Sequence, residues 1–136
     1  GPLRAALLRR HKIAPSELIV GNGSGELIDL AIRAFCRPGE AVILPAYVFP
    51  AFPAFAKMNG ARVVSAPYDA NFNLDLDRLL DLTEKTPDAK IVVVVNPNNP
   101  TGKHIRKCDL LGFLRRLESV ASPPAAIIDC AYEEYV

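Results

Sequence analysis

The chain has no excess of either charge, few cysteines, no long apolar run and no low-complexity stretch, and each shortage removes a class of function. Its 136 residues carry 16 lysines and arginines against 15 aspartates and glutamates, interspersed along the length. There is neither a basic field to hold nucleic-acid phosphates nor an acidic tail, so the expected partner is a small molecule and not nucleic acid. The three cysteines, Cys36, Cys108 and Cys130, are odd in number, far apart and without metal-ligand spacing. They suit reduced thiols in a cytoplasmic protein rather than a disulfide framework, and no metal site is expected. No run approaches the roughly 20 apolar residues of a spanning helix. No charged-then-apolar leader opens the chain, so no membrane attachment is expected. Residue 1 is Gly rather than Met, and Val136 follows directly on an apparent site motif, so residues 1–136 read as a piece of something longer.

What is present is an alternation of short apolar runs and helical patterns. Leu3, Leu7 and Leu8 have helical spacing in a short amphipathic stretch from Leu3 to His11. Leu18-Ile19-Val20 reads as a strand ending at Gly21-Asn22-Gly23-Ser24-Gly25. Glu26 to Cys36 reads as a helix with Leu27, Leu30, Ala31 and Ala34 on its apolar face, stopped by Pro38-Gly39. Ala41 to Leu44 is a second strand. Pro53 suits the first turn of a helix that Gly60 terminates, Arg62 to Ala66 is a third strand, and a helix is expected near Asp77 to Leu82. Ile91 to Val95 is the fourth strand. Leu110, Leu111, Leu114 and Leu117 mark a further helix, and Ala125 to Ile128 is a fifth short strand, read as buried, ending at Asp129. Strands alternating with helices predict an α/β fold with a mostly parallel sheet and flanking helices.

The richest segment is Ile91-Val92-Val93-Val94-Val95 running into Asn96-Pro97-Asn98-Asn99-Pro100-Thr101-Gly102. Five consecutive β-branched residues predict a strand buried on both faces, and the Asn/Pro/Gly cluster breaks it sharply. The asparagines therefore fall at the carboxyl end of a central strand, where open α/β sheets bind ligands. The glycine-rich stretch before the first long helix offers backbone N–H groups and a helix dipole to a phosphate. A dinucleotide site would need a third glycine where Glu26 stands and an acid ending the second strand, where Leu44-Pro45 stands; both requirements fail.

The Asn96 to Gly102 run resembles the Asn-Pro-x-Asn-Pro-Thr-Gly signature of pyridoxal-phosphate (PLP) aminotransferases of the aspartate aminotransferase fold, the type I PLP-transferase fold. Asp129-Cys130-Ala131-Tyr132 resembles the family's Asp-Glu-Ala-Tyr, departing at Cys130. The resemblance implies that Gly23, Ser24 and Gly25 hold the cofactor phosphate, and that Phe49 stacks on its pyridine ring. It implies that Asp129 pairs with the protonated ring nitrogen and that Asn99 and Tyr132 reach its O3′. Two of these roles have plain alternatives. Phe49, Phe52 and Phe55 have core spacing, and Asp129 has the position of a helix N-cap. Asn96 and Asn98 are expected to shape the turn.

Gly21 to Ile28 and Arg33-Ala34-Phe35-Cys36-Arg37-Pro38-Gly39 are most similar to histidinol-phosphate aminotransferases, with Gly25 in place of that subfamily's usual aspartate. The resemblance implies transfer of an amino group from histidinol phosphate, a step of histidine biosynthesis, to the 2-oxo acid 2-oxoglutarate, in a cytoplasmic homodimer. Aromatic or branched-chain aminotransferases and amino-acid-phosphate decarboxylases are the nearest alternatives. The family's lysine, which holds PLP covalently, stands downstream of the Asp-x-x-Tyr motif, and none of Lys12, Lys57, Lys85, Lys90, Lys103 and Lys107 has its context. Residues 1–136 are thus expected to be a partial PLP-binding large domain, inactive alone, lacking the lysine-bearing part and the small C-terminal domain. A non-catalytic domain that kept the fold without the lysine is the remaining alternative. In this fold the first strand lies at the far side of the sheet, so Leu18 to Val20 would have no neighbour among these residues.

Overall fold

A computed structural model describes residues 1–136. The sheet has four parallel strands, β1 (Ala41–Pro45), β2 (Arg62–Ala66), β3 (Ala89–Val95) and β4 (Ala125–Asp129), in the order β2-β1-β3-β4. Strand side chains alternate, so each strand feeds both faces. Val42, Leu44, Ile91, Val93 and Val95 face one core with Ile28, Ile32, Phe52 and Ala56. Ala41, Ile43, Val92 and Val94 face a second core with Leu79, Leu80, Phe113 and Leu117. The first core is covered by α2 (Gly23–Phe35) and α3 (Ala51–Met58), the second by α4 (Leu76–Glu84) and α5 (Lys107–Leu117). β3, buried along nearly its whole length, is the doubly covered strand that its five β-branched residues predict.

Local chemistry sets the helix ends. Asp75 caps α4, accepting from Asp77 N at 3.0 Å and Arg78 N at 3.1 Å, a contact worth about 0.5 to 2 kcal/mol. Gly60, at φ 73, follows the last turn of α3 in the left-handed region that lets a helix stop.

Four expectations need correction. Leu18 to Val20 forms no strand: the segment is extended at Leu18 but pairs with nothing, and Ile19 is 72% exposed. That outcome agrees with the topology of the resembling fold, since strand propensity without a ladder partner leaves only extended coil. α2 buries Ile28, Ile32 and the following Cys36 rather than the Leu27, Leu30, Ala31, Ala34 stripe; Leu30 is 47% exposed. The two stripes lie one residue apart on the helix, and the sheet selects between them. Residues 2–11 form α1 (Pro2–His11), but it buries no residue and is held by polar contacts, Arg4 to the Leu18 carbonyl at 2.9 Å and Arg10 to Glu134 at 2.6 Å. β4 is an edge strand, and none of its residues is fully buried.

The choice of stripe is measurable. Ile32→Ala should destabilise the protein by about 2 to 5 kcal/mol in chemical denaturation, whereas Leu30→Ala should change it by no more than about 0.5 kcal/mol. Equal losses would mean that α2 is rotated from the orientation described.

Candidate active site

From β1 the chain proceeds through α3 to β2 on one side, and from β3 through α5 to β4 on the other, with α3 and α5 on opposite faces. The carboxyl ends of β1 and β3 therefore flank the point where the winding reverses, the place where open α/β sheets form a ligand crevice. Phe49 follows β1 there, and Asn99 follows β3.

The Asn96 to Gly102 loop is tied internally. Asn96 donates through Nδ2 to the Ile105 carbonyl at 2.9 Å and accepts from Ile105 N at 2.7 Å, closing the loop like a clasp. Asn98 N donates to the Lys103 carbonyl and Gly102 N to the Asn98 carbonyl, both at 2.8 Å. Gly102, at φ 69, supplies the left-handed residue the turn requires. Asn96 and Asn98 thus shape the turn, as expected, and Asn99 is left half-buried, its side chain outside these turn bonds. Asn98 also reaches out of the loop. Its Nδ2 donates to Thr101 Oγ1 at 2.9 Å and to the Tyr47 carbonyl at 3.1 Å, 51 residues away. Its Oδ1 is buried and takes no hydrogen bond from the chain, an arrangement that costs about 1 to 3 kcal/mol.

Asp129 is paired in register with Val95, and its carbonyl accepts from Asn96 N at 2.9 Å, so β4 delivers Asp129 beside the asparagine loop. The carboxylate is half-buried on an edge strand, which corrects the expectation that it ends a buried one. Oδ1 accepts from Ala131 N at 3.0 Å, the capping alternative realised in a turn rather than an α-helix; Oδ2 takes no hydrogen bond from the chain. Tyr132 lies in that turn, ahead of the short 3-10 helix Glu133–Tyr135, and not one α-helical turn beyond Asp129. Its hydroxyl still comes within 3.5 Å of Asn99 Nδ2, so the structure brings Asn99, Asp129 and Tyr132 to one edge of the crevice.

Gly23, Ser24 and Gly25 are the first three residues of α2, which begins three positions earlier than the sequence pattern suggests. Their N–H groups lie in the turn that no intrahelical carbonyl can reach, and no side chain caps them. Glu26 instead folds back onto Asn22 N. Gly23 has φ 81, and a β-carbon there would meet nothing within 4 Å, so the helix end is open to an incoming anion. Phe49 packs partly against the first core, beside Val48 and Phe55, while Phe52 is the fully buried ring of the three.

One contributor escaped the sequence reading. Tyr68, after β2, donates its hydroxyl to the same Tyr47 carbonyl at 3.1 Å. The Tyr47 ring sits between Tyr68 and Phe72, with both centroid distances 5.5 Å. Asp69 braces that loop by accepting from Asn71 N and Asn73 N, each at 2.8 Å; these bonds, above all those from Asn73, hold its carboxyl below the ordinary aspartate range. No motif marks these positions. A cleft of about 580 Å³ lies elsewhere, between α4 and α5. Its arginines are already paired, Arg106 with Asp109 and Arg116 with Asp77, and it touches none of the predicted site residues, so the crevice is the better candidate.

The family model described as aminotransferase class I and II matches residues 2–136. The chain is 35% identical over 134 residues to histidinol-phosphate aminotransferase 2 of Nitrosospira multiformis, covering 98% of this chain and 33% of that protein. It is 38% identical over 134 residues to histidinol-phosphate aminotransferase of an Anaeromyxobacter species, covering 98% and 35%. The crystal structure of histidinol-phosphate aminotransferase from Sinorhizobium meliloti in complex with pyridoxal-5′-phosphate superposes with a TM-score of 0.87 at 26% identity, covering 98% of this chain and 35% of that one. A putative histidinol-phosphate aminotransferase from Erwinia carotovora atroseptica gives a TM-score of 0.90 at 27% identity, covering 98% and 38%. The chain thus spans about a third of the length of the relatives it matches.

Burial pushes the Tyr68 phenol up to about 12. An unfolded tyrosine ionises near 10, so the folded state holds this proton longer. Its stabilising effect is therefore complete below pH about 10 and lost as pH rises towards about 12. Titration followed by tyrosinate absorbance should show one of the four tyrosines ionising late, and Tyr68→Phe should abolish that phase; an unchanged curve would contradict the Tyr68 environment.

Proposed function

The chain belongs to the class I and II aminotransferase family, and on that premise we propose that it is the major part of the large domain of a PLP-dependent aminotransferase acting on histidinol phosphate. The observation that carries the reading is that Asn99 and Tyr132 lie 3.5 Å apart with Asp129 delivered beside the same loop at the carboxyl end of β4. The uncapped first turn of α2 and the Phe49 ring add groups of the chemistry a pyridoxal phosphate needs. Each suits a different part of PLP. The N–H groups of Gly23, Ser24 and Gly25 hold the phosphate, with the α2 dipole contributing about 0.3 to 1 kcal/mol. Asn99 and Tyr132, 3.5 Å apart, suit the cofactor's O3′. Phe49 offers a ring face.

Asp129 supplies the charge. Its Oδ2 takes no hydrogen bond from the chain, so it is available to a cation, and a carboxylate beside a ring nitrogen keeps that nitrogen protonated. Bound there, PLP provides an electron sink for the carbanion formed at the α-carbon of an amino donor. The Ala131 N–H holds the carboxylate in orientation through Oδ1. The reading requires a lysine outside residues 1–136 that would anchor the cofactor covalently and move the proton at the α-carbon.

The substrate assignment is supported by curated relatives named histidinol-phosphate aminotransferase at 35% and 38% identity. We read the complete protein as a cytoplasmic homodimer of histidine biosynthesis that passes the amino group to 2-oxoglutarate. No helix is long and apolar enough to cross a membrane.

Two measurements on the complete protein test this reading. Asp129→Asn should leave the fold and PLP binding in place while lowering kcat by about 10² to 10³, the magnitude typical of removing one group placed for developing charge; wild-type turnover would remove Asp129 from that role. The kcat/KM ratio among histidinol phosphate, phenylalanine and leucine reports differential transition-state binding. It should favour histidinol phosphate clearly, and preference for either apolar amino acid would reject the substrate.

A further inference from the structure

Phe49 and Asn99 lie in separate loops, and neither loop is held by the sheet ladder at the residue that matters. After β1, Ala46 N still reaches the Ala66 carbonyl at 2.8 Å, and the next backbone anchor is Phe52 N to the Phe49 carbonyl at 3.1 Å. Between them, the chain is fixed through the carbonyl of Tyr47. That single oxygen accepts Asn98 Nδ2 from the loop after β3 and the Tyr68 hydroxyl from the loop after β2, each at 3.1 Å. Three loops meet on one acceptor.

Asn98 is suited to this junction in a way that turn formation does not explain. Its bonds to Thr101, Gly102 and Lys103 close the turn locally; the bond to Tyr47 crosses 51 residues and adds nothing to that turn. The primary amide carries two hydrogens and spends one on each acceptor, while its oxygen, in a residue only 6% exposed, is left without a donor. The position uses the donor half of the amide. Aspartate offers neither hydrogen, and alanine offers no contact at all.

We propose that Asn98 is a positioning residue: by gripping the Tyr47 carbonyl it sets the separation of Asn99, one residue on, from Phe49, two residues beyond Tyr47, and Tyr68 steadies the same junction from the other side. The inference rests on the PLP reading above, because the spacing matters through the group those two residues face. Asn98 itself touches no reacting atom.

The test uses the complete protein and added PLP, with wild type, Asn98→Ala and Tyr68→Phe compared. Three quantities are read: the PLP dissociation constant, the visible circular-dichroism band per bound PLP, and the melting temperature of the PLP-free protein. Asn98→Ala should weaken PLP binding about tenfold and change the band, since the ring is held at an altered angle. Tyr68→Phe, which removes one of two donors, should shift the band in the same direction by a smaller amount with little change in melting. A lower melting temperature with a wild-type band and constant in Asn98→Ala would show a merely structural role and overturn the proposal. Should Asn98→Ala fail to fold, a wild-type band and constant in Tyr68→Phe would overturn it instead. Absence of PLP binding by wild type would overturn the PLP reading and this inference together, whereas normal binding by wild type and both variants would overturn this inference alone.

Discussion

Burial of β3 on both faces is the constraint on which the rest of the structure depends. Ile91, Val93 and Val95 pack into one core and Val92 and Val94 into the other, each side chain contributing about 1.5 to 3 kcal/mol by its removal from water. A strand apolar on both sides cannot lie at the surface of a two-layer protein. It demands helices above and below, which α2 and α3 provide on one face and α4 and α5 on the other, and it demands neighbours along both edges, which β1 and β4 provide. The reversal of winding between β1 and β3 follows from filling both faces with connections that run in opposite directions. The crevice at their carboxyl ends is thus a consequence of core packing before it is a feature of chemistry.

That origin explains the division of labour among the site residues. The groups suited to the cofactor sit at the ends of elements whose positions the core dictates: the first turn of α2, the loops after β1 and β3, and the end of β4. The polar network does a different task, joining loops that the sheet has released. Asn96 clasps Ile105, Asn98 grips Tyr47, and Tyr68 completes the junction. Dispersion and apolar burial place the platform to within a loop's freedom; directional hydrogen bonds, fixed in length and angle, remove what freedom remains. The surface ion pairs take little part in this, since pairs as exposed as Arg10–Glu134 are worth about 0 to 1 kcal/mol each.

Much of this was legible in the residues themselves. The β-branched run of β3, the break at Asn96-Pro97, the glycines opening α2 and the Pro53 to Gly60 helix all carry their local physics on the surface of the sequence. The seven-residue asparagine signature and the Asp-x-x-Tyr pattern mark Asn99, Asp129 and Tyr132, and the structure brings those three together. Less legible was anything that needed a partner to decide it. Leu18 to Val20 has strand composition, but a strand is a pair property, and its ladder is missing. α2 has two apolar stripes, and helical periodicity alone cannot say which one meets the sheet. Asp129 looked buried because four apolar residues precede it, yet β4 lies at an edge.

The sequence by itself determined the fold class and the family, because both rest on local signals: short continuous apolar runs in strands, a period of 3.6 in helices, and a signature whose every position lies within seven residues. The tertiary structure alone decided which faces are buried, that β4 is an edge, and that the Tyr47 carbonyl is the meeting point of three loops. The last of these depends on contacts between residues 21 and 51 positions apart along the chain. No local propensity encodes such separations, since a hydrogen bond between distant residues exists only after the core has folded and carried the two loops to the same place.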